Sequence, residues 1–333
     1  MYKMEGSKIS CAVIGIGAFG KHYVRLLASN PRVSLIAITS PTVHSRELGI
    51  RETVKRYNNA QDVFEDPSID AVVIATPAST HAELAIKALR SGKHVLLEKP
   101  LAINLDEAIQ IENTVNDSQK VFMLGHQYLY NDHISALKNE LDDGRIGAVR
   151  YVHAEQLYLG PIRHDIGCFT EAATHEIAIV DYLFTPGLPI SVQASAIDLG
   201  GGTREDFAAA TIRYETGLLV HIVISSYSPV RSRRMIFGAE NGMALFDDRA
   251  LDHKVSLHLR PFPKGEKLGQ QKSLTIPEGD IFIPQVTARE PLAQEIEHFL
   301  DCIQGEAIPR SDITHAMRVT RVLTMVSHAL TAI

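Results

Sequence analysis

Cysteine is scarce in this chain of 333 residues, which contains only Cys11, Cys168 and Cys302. Their wide spacing provides neither a CxxC pair nor an even-numbered framework, which excludes a disulfide scaffold and favours a reducing compartment. Long apolar runs are also missing, because stretches such as Ala71–Ala75 are far shorter than the roughly 20 residues of a membrane-spanning helix. These absences predict a cytoplasmic protein with no membrane segment.

An excess of positive charge is absent as well. The chain has 33 Lys and Arg residues against 39 Asp and Glu residues, which gives a net charge of −6. A protein whose main partner is nucleic acid needs a basic surface, so this balance argues against that class. A small anionic ligand needs only a local site and stays compatible with it. The length predicts two domains of ordinary globular composition.

The first third of the chain alternates short apolar runs with amphipathic stretches. The predicted strands are Ile9–Ile14, Val33–Ile38, Ala71–Ala75, His94–Leu97 and Val121–Leu124. Thr80 with Glu83, and Asn104 with Glu107, form capping-box patterns that predict helix starts. The charged segment before Ala71 is predicted to be helical. This alternation predicts right-handed βαβ units in a doubly wound parallel sheet, assigned to a domain of residues 1–125.

The pattern changes near residue 149, in a second domain assigned to residues 126–333. Longer strands are predicted at Val149–Leu157, Ile190–Ile197, Phe207–Tyr214, Leu218–Ser225 and Val255–Leu259. Tyr214-Glu-Thr-Gly217 predicts a hairpin, and therefore antiparallel pairing. One helix is predicted at about Glu171–Tyr182 and two more at the end of the chain, after a long loop at residues 261–290. The fold class is α/β, with a Rossmann domain followed by an α+β domain whose large open sheet is mostly antiparallel.

A glycine-rich turn follows the first strand and begins its helix. In Gly15-Ile-Gly17-Ala-Phe-Gly20 the first glycine permits a tight turn, the second lets backbone approach a pyrophosphate, and the third lets the helix pack closely. The phosphates would lie on N–H groups at the helix N-terminus. We therefore expect Gly15, Gly17, Ala18, Phe19 and Gly20 to bind NAD or NADP.

The end of the second strand lacks the carboxylate that usually bonds the ribose 2′-OH of NAD. The chain reads Ile38-Thr39-Ser40-Pro41-Thr42 at this point. These hydroxyls, with His44 or Arg46, could accept a 2′-phosphate, and this slightly favours NADP. The alternative is that Thr39 or Ser40 bonds the ribose of NAD.

Two further strand ends carry polar groups, at Ala75-Thr76-Pro77, followed by His81, and at Glu98-Lys99-Pro100. Ligands of an open α/β sheet lie beyond the C-terminal ends of its strands. Lys99 could there orient a substrate hydroxyl or carbonyl and help to move its proton. The alternative for Lys99 is a solvated surface lysine.

Gly15–Gly20, Ala75–Pro77, Gly92-Lys93-His94-Val95 and Glu98–Pro100 resemble the Gfo/Idh/MocA oxidoreductases, and the similarity runs from the first strand to the last helix. The resemblance implies that Lys99 contacts substrate and nicotinamide and that the peptide before the proline is often cis. Beyond the glycine loop, the cofactor site is expected to include Thr39, Ser40, Ala75, Thr76, Pro77, His81, Glu98, Lys99 and His126. A structural role is the alternative for His126.

In that family the usual acid/base is a histidine four residues after an aspartate in the second domain. Glu171-Ala-Ala-Thr-His175 matches this spacing on a helix, where such residues share a face, although glutamate replaces aspartate. The resemblance therefore implies catalytic roles for Lys99, Glu171 and His175, which would also contact the substrate. Without it, His175 is one of 15 histidines with a structural role as the alternative.

A narrower resemblance is carried by Arg163-His-Asp165, Glu171–His175, Phe246-Asp-Asp248 and Glu290–Ile303. It is to the branch acting on nucleotide sugars in surface-polysaccharide pathways, such as UDP-N-acetylglucosamine and UDP-N-acetylglucosaminuronate 3-dehydrogenases. Arg163 could bind a substrate carboxylate or phosphate, or pair with Asp165. The segment 125–130 departs from the branch, with leucine where arginine is common. We expect hydride transfer between nicotinamide and a secondary alcohol or ketone of a sugar.

Two other functions stay open: an NADPH-dependent ketoreductase of a 3-keto deoxysugar nucleotide, and a non-catalytic dinucleotide-binding regulator of the same fold. A metal is not expected, since Ile179 breaks the HExxH pattern that His175-Glu176 begins. The resemblance also implies a homodimer or homotetramer formed through the open faces of the second-domain sheets.

Overall fold

The computed structural model describes residues 8–41, 43, 48–160, 166–201, 204–260 and 279–331. The chain divides into two compact units. The first comprises Met1–Tyr130 and Glu290–Thr320, and the second comprises Asn131–Arg289 and Arg321–Ile333. The sequence pattern predicts that Glu290–Thr320 belongs to the second domain, but this segment is part of the first unit.

A six-stranded parallel sheet with the order β3-β2-β1-β4-β5-β6 forms the centre of the first unit. Its strands are β1 (Ile9–Ile14), β2 (Val33–Thr39), β3 (Lys55–Tyr57), β4 (Ala71–Ile74), β5 (His94–Glu98) and β6 (Phe122–Gly125). From the central strand β1 the chain adds β2 and β3 on one side, and it then crosses to add β4, β5 and β6 on the other side. Doubly wound sheets bind ligands where the strand order reverses in this way, which is here between β1 and β4. The apolar runs predict five of these strands; β3 lies inside the charged segment predicted to be helical.

Eight α-helices lie in the described residues. They are α1 (Gly20–Ser29), α2 (Gln61–Glu65), α3 (His81–Arg90), α4 (Leu105–Ser118), α5 (Asp132–Asp142), α6 (Cys168–Phe184), α7 (Pro291–Gln304) and α8 (Ile313–Thr331). The first unit buries a core built from both its strands and its helices, including Val72, Leu97, Ala85 and Ile111. No helix in the described part of the chain combines the length and the apolar character needed to cross a membrane.

The two predicted capping boxes have different outcomes. Asn104 caps α4, because its Oδ1 accepts the backbone N–H of Glu107 at 2.8 Å. Thr80 precedes α3 without capping it, which corrects the second prediction. A capping side chain needs extended backbone, whereas a 3-10 turn at Ala78–Thr80 leads into α3 and gives Thr80 a helical conformation.

The second unit contains an eight-stranded sheet of order β14-β13-β12-β11-β7-β10-β9-β8. The strands are β7 (Val149–Leu159), β8 (Pro189–Ile197), β9 (Phe207–Tyr214), β10 (Leu219–Ser225), β11 (Tyr227–Ala239), β12 (Gly242–Asp247), β13 (Val255–Leu259) and β14 (Asp280–Phe282). Neighbours pair antiparallel except β7 with β10. The predicted fold class is therefore confirmed.

Some strands of this sheet escape prediction from the sequence. β11 begins with a polar, arginine-rich stretch that does not alternate cleanly, and β12 follows it after a two-residue turn. β14 lies inside the segment 261–290 that was predicted to be a loop, of which residues 261–278 lie outside the described residues. One face of the sheet packs on α6, burying residues such as Val152, Ala210 and Ile222 at alternate positions.

Candidate active site

The three glycines of the turn after β1 have different surroundings. Gly15 has φ +92°, a left-handed conformation that favours glycine, and a Cβ there would lie 2.6 Å from the carbonyl oxygen of Ala75. A Cβ on Gly20 would lie 2.0 Å from the carbonyl oxygen of Gly15. A Cβ on Gly17 would meet nothing within 4 Å. Two glycines therefore permit close backbone packing, and the third leaves an open side.

The open side of Gly17 fits a dinucleotide pyrophosphate. Helix α1 begins at Gly20 and has no acidic residue in its first turn, so no carboxylate competes for the N–H groups at this end. Ala18 and Phe19 are exposed beside Gly17. The turn is held to the sheet by the Gly15 N–H, which donates to the Thr39 carbonyl at 2.8 Å. The residues present would thus hold the pyrophosphate of NAD or NADP.

At the end of β2, Thr39 and Ser40 are both buried. Arg56 of the neighbouring strand β3 donates from Nη1 to the carbonyl oxygen of Val43 at 2.6 Å. His44 and Arg46, which the sequence suggested for a 2′-phosphate, lie outside the described residues. Arg56 is therefore a cation beside this turn that sequence reasoning missed, because it lies on a strand that was not predicted.

His81 joins the ends of two strands, because its two ring nitrogens face different loops. Nδ1 lies 2.7 Å from the carbonyl oxygen of Pro100, and Nε2 lies 3.0 Å from that of Thr76. The ring is buried, and this burial lowers the pKa of His81 despite the two carbonyl contacts. His81 thus ties the loop after β4 to the loop that contains Lys99.

Glu98 and Lys99 lie at the end of β5. The Glu98 carboxylate is buried and accepts the hydroxyl of Tyr23 at 2.7 Å and the backbone N–H of Lys99 at 3.1 Å. Burial raises the pKa of Glu98 to about 7, against the lowering effects of Tyr23 and Lys99. The Lys99–Pro100 peptide bond is cis, as the resemblance implied, and Lys99 itself is half-buried.

His126, expected to line the nicotinamide site, follows β6 and is buried. Its Nδ1 lies 2.9 Å from Nε2 of His315, with the two rings edge to face. One of these nitrogens must donate and the other accept, so the tautomers of the two rings are linked. The partner His315 comes from α8, far away in the sequence, and sequence reasoning did not find it.

In the second unit, α6 carries both residues of the predicted acid/base pair. His175 is buried with 8% of its surface exposed, and Glu171 is half-buried one turn earlier. The helix is buried on nearly every side and packs on the sheet, so its position is fixed by burial. Arg163, predicted to bind the substrate, lies outside the described residues.

Two contacts that the sequence did not predict hold α6 in place. Glu205 accepts the backbone N–H of Phe169 at 3.3 Å with its carboxylate, which places negative charge at the N-terminus of the helix. Arg233 of β11 forms an ion pair with Glu176 at 3.1 Å, and the Glu176 side chain is only 2% exposed.

Within the residues that the structure describes, no group of three or more His, Cys, Asp or Glu side chains could hold a metal ion.

Two family models match this chain. Residues 9–126 match the model described as "Oxidoreductase family, NAD-binding Rossmann fold", and residues 134–245 match the Gfo/Idh/MocA C-terminal domain. The first range contains the glycine turn and Lys99, and the second contains helix α6 with Glu171 and His175.

Similar proteins are named as dehydrogenases of alcohols. The scyllo-inositol 2-dehydrogenase (NAD+) of Bacillus subtilis is 26% identical over 324 residues, covering 91% of this chain and 88% of that protein. The inositol 2-dehydrogenase of Rhizobium meliloti is 26% identical over 314 residues, covering 89% and 88%. The solved UDP-N-acetylglucosamine 3-dehydrogenase of Acidithiobacillus ferrooxidans shares the fold, with a TM-score of 0.81, 23% identity and 98% coverage of both chains. The chain therefore belongs to the Gfo/Idh/MocA family and is an NAD-binding oxidoreductase.

Proposed function

We propose that the protein is a dehydrogenase that transfers hydride between a nicotinamide cofactor and a secondary alcohol, or its ketone, on a six-membered ring. The observation that supports this most is the glycine turn, whose Gly17 has an open side while Gly15 and Gly20 are closely packed. The first unit also places Lys99 after a buried carboxylate at a strand end, where ligands of such sheets bind.

The chain's own residues handle the proton, while the nicotinamide, when bound, supplies or accepts the hydride. His175 removes the hydroxyl proton during oxidation and returns it during reduction, as general base and acid. Lys99 orients the hydroxyl or carbonyl oxygen and stabilises negative charge on it. Glu171 lies one helical turn before His175 and orients its ring.

Two substrate classes follow from different observations. Relatives that align over most of the chain are inositol dehydrogenases, which favours a free cyclic polyol. The motif Phe246-Asp-Asp248 and the segment Glu290–Ile303 favour a nucleotide sugar, whose carboxylate or phosphate Arg163 would bind. Within the nucleotide-sugar class, the protein could instead catalyse the reverse reaction, the reduction of a 3-keto deoxysugar nucleotide with NADPH.

A substrate panel tests the proposal. Inositol isomers, free hexoses and UDP-sugars are each supplied with NAD+ or NADP+, and absorbance of the reduced nicotinamide is followed. Turnover of inositols alone supports the polyol class, and turnover of UDP-sugars alone supports the other. Lys99→Ala and His175→Ala should each lower kcat by about 100-fold or more. Normal cofactor binding without turnover in any combination would instead favour the non-catalytic regulator.

The end of β2 bears on the choice between NAD and NADP. Thr39 and Ser40 carry no charge that would repel a 2′-phosphate, and Arg56 is the nearby cation. We expect NADPH to bind at least as tightly as NADH, measured by the fluorescence of the bound nicotinamide or by calorimetry. Tenfold tighter binding of NADH would contradict this preference.

A homodimer or homotetramer is also proposed. The sheet face opposite α6 bears exposed large apolar residues, among them Tyr151, Ile197 and Ile281. Exposed apolar patches of this kind mark association surfaces. Light scattering coupled to size-exclusion chromatography tests this, and a monomer at micromolar concentration would refute it.

A further inference from the structure

Two buried glutamates of the first unit share one tyrosine. The hydroxyl of Tyr23, on α1, lies 2.7 Å from Oε1 of Glu98 and 3.1 Å from Oε2 of Glu295, on α7. Tyr23 and Glu295 are each 0% exposed, and Glu98 is 8% exposed. The other oxygen of Glu295, Oε1, is buried with no hydrogen-bond partner among the described residues.

Counting protons shows that one carboxyl must be neutral. A tyrosine hydroxyl has one proton to donate, and an ionised carboxylate can only accept. With both glutamates ionised, one carboxylate oxygen would face the oxygen of Tyr23 without a proton between them, in a site closed to water. A single extra proton on one glutamate completes a chain of two hydrogen bonds.

The surroundings decide which glutamate holds that proton. Glu98 accepts two donors, the Tyr23 hydroxyl and the Lys99 backbone N–H, and the ammonium charge of Lys99 stabilises its ionised form. Among the described residues, the titratable groups that interact with Glu295 are Tyr23, Glu98 and Tyr130, and none of these is a cation. Burial and the charge of Glu98 raise the pKa of Glu295 well above its usual value.

We propose that Glu295 is a positioning residue for Lys99. Glu295 stays protonated at and above neutral pH and donates to the Tyr23 oxygen, which directs the Tyr23 hydroxyl to Glu98. Glu98 in turn accepts the backbone N–H of Lys99. The chain of contacts runs from α7 through α1 to the end of β5. The importance of Lys99 in this inference rests on the proposed function, whereas the protonation of Glu295 does not.

The protonated carboxyl can be tested on the protein alone. Infrared spectra at mildly alkaline pH, where surface carboxyls are ionised, should contain the C=O stretch of a buried carboxylic acid. Glu295→Gln should remove this band. Glu297→Gln is the matched control, because Glu297 lies on the same helix but is only half-buried and pairs with Arg32; it should leave the band unchanged. A band that is absent from the wild type, or that persists in Glu295→Gln, would overturn the inference.

The pH profile of turnover gives a second readout. Glu98 acts on turnover through Lys99, in addition to the general base His175. Glu295→Leu removes the donor to Tyr23, so the contribution of Glu98 to the acidic limb should move upward by about one unit as Glu98 holds its proton more tightly. Glu295→Gln should restore the wild-type profile, because its amide N–H can donate to Tyr23. If Glu295 were ionised in the wild type, both variants would relieve repulsion and move the limb downward, which would overturn the inference.

The two arms separate the inference from the proposed function. If no substrate is turned over, the infrared arm alone decides the protonation of Glu295, and the failure falls on the proposed function. If Glu295→Leu fails to fold, the direction of the shift in Glu295→Gln still decides, since the ionised form predicts a downward shift and the protonated form predicts none.

Discussion

The glycine turn offers a prediction in which stability and cofactor binding respond to different positions. Gly17→Ala places a methyl group in open space, so the free energy of unfolding should change by less than about 0.5 kcal/mol. Gly20→Ala places a methyl group 2.0 Å from the carbonyl oxygen of Gly15. This oxygen belongs to tightly packed backbone and cannot turn aside, so helix α1 must shift away from the turn.

The magnitudes follow from these distances. Overpacking a close backbone contact costs about 3 kcal/mol, and for a unit of this size that lowers Tm by roughly 6–12 °C. In Gly17→Ala the methyl group instead occupies the space proposed for the pyrophosphate. Loss of one hydrogen bond to a charged group, about 1.5–3 kcal/mol, weakens binding by roughly 10- to 100-fold.

Thermal unfolding without cofactor and titration with NADH measure the two effects separately. We expect Gly17→Ala to unfold at the wild-type temperature and to bind NADH at least tenfold more weakly. Gly20→Ala should unfold at a clearly lower temperature. Binding of NADH to Gly17→Ala as tight as to the wild type, or wild-type stability of Gly20→Ala, would contradict these expectations.

Two further predictions concern buried charges. Burial raises the pKa of Glu98 in the folded state to about 7 from 4.5. The ionised Glu98 carboxylate therefore destabilises the fold: the effect is absent below pH 4.5, grows as the pH rises towards about 7, and is complete above it. Glu98→Gln should therefore raise stability above neutral pH by up to roughly 3 kcal/mol and not at acidic pH; equal stabilisation at both pH values would contradict this, as followed by denaturant unfolding. Arg233→Met should lower stability by about 3 kcal/mol, because it leaves the buried Glu176 carboxylate without its cation. Adding Glu176→Met should recover part of this loss in the same assay, and an additive loss would argue against the ion pair.

Local patterns in the sequence predicted much of the fold. Apolar runs identified most strands of the first sheet, and the side chain of Asn104 caps α4 as its spacing suggests. The glycine spacing predicted the turn, and Gly15 and Gly20 have the close contacts that its roles require. These signals succeed because each depends on residues that are near one another in the chain.

The parts that were missed depend on contacts between distant residues. Glu295 meets Tyr23 across 272 positions of the sequence, and Arg233 meets Glu176 across 57. No local pattern distinguishes Glu295, Glu176 and Arg233 from the charged residues that lie on the solvent-facing side of a helix or strand. Thr80 matches the capping pattern, but its hydroxyl bonds Thr76 and the carbonyl of Pro77 instead.

We propose that Lys99 and His175 serve hydride transfer from a ring carbon to nicotinamide. The most direct test supplies myo-inositol or UDP-N-acetylglucosamine, deuterated at its ring carbinol carbons, with oxidised cofactor and analyses the reduced nicotinamide by mass spectrometry. We expect deuterium on the nicotinamide with at least one of these substrates, a slower rate than with the unlabelled compound, and loss of the product in Lys99→Ala and His175→Ala. Reduced nicotinamide without deuterium, or unchanged turnover in both variants, would contradict it.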